Sequence, residues 1–198
     1  MVREAPITAE ELMGQLEADP VWVAHRDARD RVRAEREQQS QRDQVDLLTD
    51  LAAVGITVAN VWDLVNTATP YPRALPVLLD HLLRAYPDRT RDGVARALAV
   101  KEARPIAWDT LVRLIRSKSL PEETASGVMI AVCAMAGSAD VPVLIDLLGD
   151  RSIGRTRVHL VRKLMRSKRP EARQALLHHR ADPDLQKEIS ARLGTQAA

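Results

Sequence analysis

The segment Leu75-Pro76-Val77-Leu78-Leu79-Asp80-His81-Leu82 returns as Val141-Pro142-Val143-Leu144-Ile145-Asp146-Leu147-Leu148, 66 residues later. Midway between them, Trp108-Asp109-Thr110-Leu111-Val112-Arg113-Leu114-Ile115 fills the same slot, so the period is 33. Leu78, Leu111, Leu144 and Leu177 all keep it. A fixed period of this size marks one supersecondary unit stacked on copies of itself, each burying a face that its neighbour supplies. Chains of this kind present surfaces more readily than they build catalytic pockets.

The repeating unit reads as a pair of helices. Four pairs are expected: 72–84 with 89–102, 105–118 with 121–136, 139–149 with 154–168, and 170–180 with 183–193. Prolines 87, 105, 121, 170 and 183 fall at helix starts or in turns, where a missing N–H is tolerated. Ser119-Leu120-Pro121-Glu122 has the form of a capping box. No stretch alternates with period 2, so no sheet is expected. Only 3% of residues are aromatic and Phe is absent. The core must be Leu, Val, Ile and Ala, which suits closely packed helices.

Ahead of the repeats, Thr8-Ala9-Glu10-Glu11 is a capping-box start, with Leu12 and Leu16 on one face. Asp19-Pro20 opens a second helix. Residues 24–46 are then mostly charged or Gln, with only Ala24, Ala28, Val32, Ala34 and Val45 apolar. That stripe is too thin for a core helix and reads as a solvated arm or connector. A partner-binding or dimerising helix is the alternative, since Trp22 at its base needs something to pack on. Residues 47–53 recover an apolar face before Gly55, and 58–66 form a short helix around Trp62. The prolines of 67–72 place the boundary between an N-terminal helical arm or cap (1–66) and a repeat domain (67–198).

The net charge of +2 conceals a polarity. Residues 1–100 carry 12 basic and 16 acidic side chains, net −4, and residues 101–198 carry 17 and 11, net +6. An acidic partner for the C-terminal half, or head-to-tail contact, follows from that asymmetry. A single cysteine, Cys133, excludes an internal disulfide framework and fits a reducing compartment. The N-terminus has Arg3 and Glu4 but no apolar core of a signal peptide, and the longest apolar run, 127–137, is too short to span a bilayer. A cytoplasmic protein without membrane contact is expected.

Several helical repeats have periods near 33. The Thr-Pro-Leu-His signature of ankyrin repeats is missing, and so is the spaced Trp, Leu-Gly and Tyr pattern of tetratricopeptides. What is present resembles HEAT repeats: a first helix with Pro near its start followed by apolar residues and Asp, as in 141–150, then a second helix opening with Arg. Arg89-Thr90-Arg91 and Arg155-Thr156-Arg157 keep the offset of 66, so the resemblance takes in both helices and covers about residues 70–195. It implies a short right-handed solenoid, with an Asp in the inter-helix turn paired to the Arg of the second helix. Asp150 with Arg157 and Asp88 with Arg91 could fill those roles. Thr124 stands where the middle unit's Arg would be, which breaks any ladder of such pairs. The resemblance also implies scaffolding or macromolecular binding. Some HEAT-like proteins bind nucleic acid, and one branch removes alkylated bases from DNA.

Residues 154–169 hold seven basic side chains and no acidic one. On a continuous helix, Arg155, Arg162, Arg166 and Arg169 fall within about 60° of one another. Arg89 and Arg96 correspond to Arg155 and Arg162 two units earlier. The stripe suits a solvated face, an acidic protein surface, or the phosphates of a nucleic acid. Against nucleic acid stand the modest net charge and the lack of interleaved aromatics.

Residues 125–137 form an apolar stretch in which Ser126 is the only polar side chain. A helix apolar all round must be covered all round, by its neighbours in the chain, by a partner or by a second copy. Cys133 reads as a small buried hydrophobe. His178-His179 with Asp182 and Asp184 lack metal-ligand spacing. Trp62, Asp63, Asn66 and Tyr71 either line a small pocket or cap the first repeat. Trp108-Asp109 lies on a first helix, and no catalytic residue, metal ligand or cofactor motif is identified.

The fold expected is therefore all-α: a short α-solenoid of about four HEAT-like pairs with an N-terminal helical extension. The function expected is non-enzymatic binding of an acidic protein through Arg155, Arg162, Arg166, Arg169, Arg89 and Arg96, with no cofactor. Nucleic-acid binding, with or without base excision, and a structural homo-oligomer are the alternatives.

Overall fold

In the computed structural model, residues 7–193 are described, and every regular element among them is helical. Arg3 and Glu4 lie outside the described residues. Two compact units divide at Arg42 and Asp43.

The first unit contains α1 (Ala9–Ala18) and α2 (Pro20–Arg42). Thr8 caps α1 as its sequence requires: its Oγ1 accepts from Glu11 N–H at 3.2 Å while Glu11 Oε2 accepts from Thr8 N–H at 2.9 Å. The Thr8 N–H and the Thr8 hydroxyl, which also donates to Glu11 Oε2 at 2.9 Å, hold the Glu11 carboxyl below its ordinary pKa. Asp19 Oδ1 accepts from Val21 N–H at 2.8 Å at the start of α2. Neither helix buries a residue, and Arg26 covers the Trp22 ring at 5.4 Å.

The second unit begins with α3 (Val45–Ala53) and α4 (Val61–Asn66). The boundary drawn at 66/67 falls inside it, because Leu47, Leu51, Val61 and Leu64 join the same core as Leu75 and Leu78. Four helical pairs follow close to the expected places: α5 (Ala74–Leu82) with α6 (Asp88–Ala97), α7 (Arg104–Ser117) with α8 (Glu122–Met135), α9 (Val141–Gly149) with α10 (Val158–Met165), and α11 (Pro170–His178) with α12 (Gln186–Leu193). Second helices touch in sequence, α4 on α6, α6 on α8, α8 on α10 and α10 on α12, while α3 packs on α5 and α11 on α9.

Two glycines set how closely that row approaches. A Cβ on Gly93 of α6 would stand 2.7 Å from Val61 Cγ1 and 2.9 Å from Trp62 Nε1 of α4. On Gly127 of α8 it would strike the Asp92 carboxylate and stand 3.0 Å from the Asp92 carbonyl. The apolar helix α8 is covered by α6, α7 and α10, so the chain's own neighbours supply its cover.

One capping expectation fails. Pro121 is the N-cap residue of α8 and makes no side-chain cap, while Ser119 Oγ sits 2.8 Å from Ser117 Oγ. A second capping box was missed: Asn60 accepts from Trp62 N–H at 3.1 Å and Asp63 Oδ2 accepts from Asn60 N–H at 3.0 Å. Among the described residues no helix is long and apolar enough to cross a membrane.

Candidate functional site

The basic stretch does not form one helix. A 3₁₀ segment, Arg151–Arg157, precedes α10 and is broken at Gly154, whose φ of 72° and ψ of −151° suit glycine. At the other end Pro170 disfavours helical geometry for the residue before it, and Arg169 is extended at φ −78° and ψ 130°. Of the four arginines assigned to a single face, only Arg162 lies within α10, with Arg166 at its C-cap. Arg155 lines a separate hollow with Lys118 and Glu122.

Ahead of the second break lies a groove of about 370 Å³ between the start of α9 and the end of α10. Its cations are Lys163, Arg166, Lys168 and Arg169, and Val141, Leu144, Leu164 and Ala136 supply apolar wall. No acidic or aromatic side chain lines it. Arg169 is anchored, donating to Ser138 O at 3.0 Å and pairing with Glu171 at 2.7 Å. Lys163, Arg166 and Lys168 have no carboxylate partner among the described residues.

The two earlier arginines are occupied differently. Arg96 Nε donates to both oxygens of the buried Asp92 at 2.9 Å, and its guanidinium lies 5.9 Å from the Trp62 ring. Arg89 lies over the same ring, also at 5.9 Å. Arg96 borders a cavity of about 430 Å³ lined mainly by Leu64, Val65, Tyr71, Leu75, Val100 and the loop before α5. Tyr71 therefore does line a pocket, its hydroxyl donating to Ala97 O at 2.8 Å, whereas Trp62, Asp63 and Asn66 do not line it. Burial, and then the Glu102 carboxylate, raise the Tyr71 pKa.

Cavity and groove occupy the same joint of the repeat. Pro70, Tyr71, Pro72, Leu75, Val100 and Glu102 line the first, and their equivalents 66 positions on, Ala136, Gly137, Ser138, Val141, Arg166 and Lys168, line the second. The exchanges Val100 for Arg166 and Glu102 for Lys168 convert one chemistry into the other. In the middle unit Trp108 holds the place of Leu75 and Val141, and Arg104 stacks 4.4 Å from its centroid while bonding Asp140 at 2.8 Å. Compared with protein-family models, curated proteins and solved structures, the chain matches none.

Sequence reading singled out the stripe and left out Lys163 and Lys168, because it carried an ideal helix through residue 169. The offset of 66 applied to the joints was the available signal.

Other polar clusters serve the framework. Arg157 is fully buried and does not meet Asp150, which instead binds Ser152 and Lys118. Its guanidinium bonds Leu148 O at 3.0 Å, Asp182 at 2.9 Å and Asp184 at 2.9 Å. Those are the carboxylates that follow His178 and His179 in the sequence, and among the described residues no three His, Cys, Asp or Glu side chains are grouped to hold a metal. Arg91, 66 residues earlier, reaches Leu82 O at 3.5 Å, and Asp88 is not its partner. Asp50, His81 and Tyr86 form a hydrogen-bonded chain, each link 2.8 Å, that ties α3 to α5. Burial pushes the Cys133 thiol up to about 12.

Proposed function

We propose that the chain is a non-enzymatic binding module built as a short HEAT-like α-solenoid, and that it recognises a protein with an acidic surface. The observation that carries this reading is the groove bearing Lys163, Arg166, Lys168 and Arg169 with no acidic side chain in its lining. The ordered packing of second helices, α4 through α12, supports the solenoid part of it. Arg162, one turn before Arg166 in α10, adds to the positive field that steers an acidic partner, and Arg155 adds to it from its separate hollow. Arg96 contributes less than its place in the repeat suggested, because Asp92 already neutralises it.

The test is capture from nuclease-treated host lysate by the full chain and by a variant in which the groove cations Lys163, Arg166, Lys168 and Arg169 become Glu. A stoichiometric acidic protein retained by the wild type and lost by the variant supports the module. Retention by both clears the basic surface. Recovery of nucleic acid from untreated lysate, with affinity falling steeply in salt, replaces the reading by phosphate binding.

A further inference from the structure

We propose that the groove between α9 and α10 takes a short, extended acidic segment that inserts one aliphatic side chain between its cations. This inference rests on the binding-module reading and adds the form of the ligand. The groove pairs two chemistries: Lys163, Arg166 and Lys168 on its lining, and the aliphatic side chains of Val141, Leu144 and Leu164 beneath. Carboxylates laid along the rim gain charge-assisted hydrogen bonds from Arg and Lys. Polar groups laid on the aliphatic floor would lose water without finding a partner, so the part of the ligand that reaches the floor is apolar.

A nucleic acid satisfies only half of this surface. Its phosphates suit the cations, but its bases need aromatic platforms, and none lines the groove. The companion joint supplies an internal contrast, since Val100 and Glu102 stand where Arg166 and Lys168 do. An acidic segment that binds the later joint is repelled from the earlier one.

Fluorescence anisotropy with the full chain tests this with three probes of equal charge. They are a Glu/Asp decapeptide with one central Leu, the same peptide with Ala in that place, and a single-stranded oligonucleotide. The Leu peptide is expected to bind about tenfold more tightly than the Ala peptide. Ser138→Trp, which fills the groove from an exposed position, should erase that difference. Glu102→Gln at the companion joint should leave both affinities unchanged. Equal binding of the two peptides, lost in Arg166→Glu/Lys168→Glu, overturns the anchored segment and leaves the acidic-partner reading standing. Peptide binding that is absent, or indifferent to that charge reversal, overturns both. An oligonucleotide that outbinds the Leu peptide overturns the inference in favour of phosphate recognition. Each variant is scored only with a thermal midpoint matching the wild type, and Lys168→Glu alone serves where the double variant does not fold.

Discussion

Arg157 Nη1 lies 2.9 Å from Asp182 Oδ2, and the two side chains are 1% and 2% exposed. The guanidinium also holds Leu148 O, so one side chain joins the end of α9 to the turn before α12. Removing one member of a buried pair strands the other. Arg157→Ala is expected to lower unfolding free energy by about 3–5 kcal/mol, while Arg157→Met with Asp182→Leu recovers much of the loss. Urea denaturation of the two variants measures it, and equal losses would show that the pair is not what the arginine contributes.

The same pair sets an acid limit. The hydrogen bond from Arg157 holds the Asp182 carboxyl below its ordinary pKa, so the folded chain binds this proton less readily than the unfolded one. Its contribution is complete above about pH 4, the unfolded value, and disappears as pH falls through the lower folded value. The urea midpoint should fall below that pH in the wild type and fall less in Asp182→Asn. Parallel slopes in the two proteins would remove Asp182 from the acid transition.

Gly93 and Gly127 predict an order of damage. Gly93→Ala meets the ends of Val61 and Trp62, side chains that can yield, whereas Gly127→Ala meets the Asp92 backbone carbonyl as well as its carboxylate. Overpacking of this kind costs about 1–3 kcal/mol, with Gly127→Ala at the upper end. Thermal midpoints of the two variants give the order, and Trp62 fluorescence should respond to Gly93→Ala more strongly.

Cys133 is partly buried and should behave as a shielded thiol. With its pKa pushed up to about 12 by burial, the thiolate that reacts is scarce at neutral pH. Alkylation of the native chain at pH 8 should be far slower than in urea. Comparable rates in the two conditions would place the thiol at the surface.

Helix order, the period of 33 and most helix starts were readable from residue order, because apolar spacing, proline and capping residues act within one or two turns. The match of Thr8 to Glu11 is of that kind. The partner of Arg157 was not readable. Asp150 is the nearer in sequence, yet Asp182, 25 residues on, is the one that folding buries beside it.

Sequence by itself determined that this chain is helical, that its units repeat, and that its C-terminal half is basic. Tertiary structure decided which cations share a surface. Gly154 and Pro170 interrupt the helix that would have aligned four arginines, and the joint at Val141 then gathers Lys163, Arg166, Lys168 and Arg169 around an aliphatic floor. Local signals report the conformation of a few residues, whereas a groove exists only where two units meet.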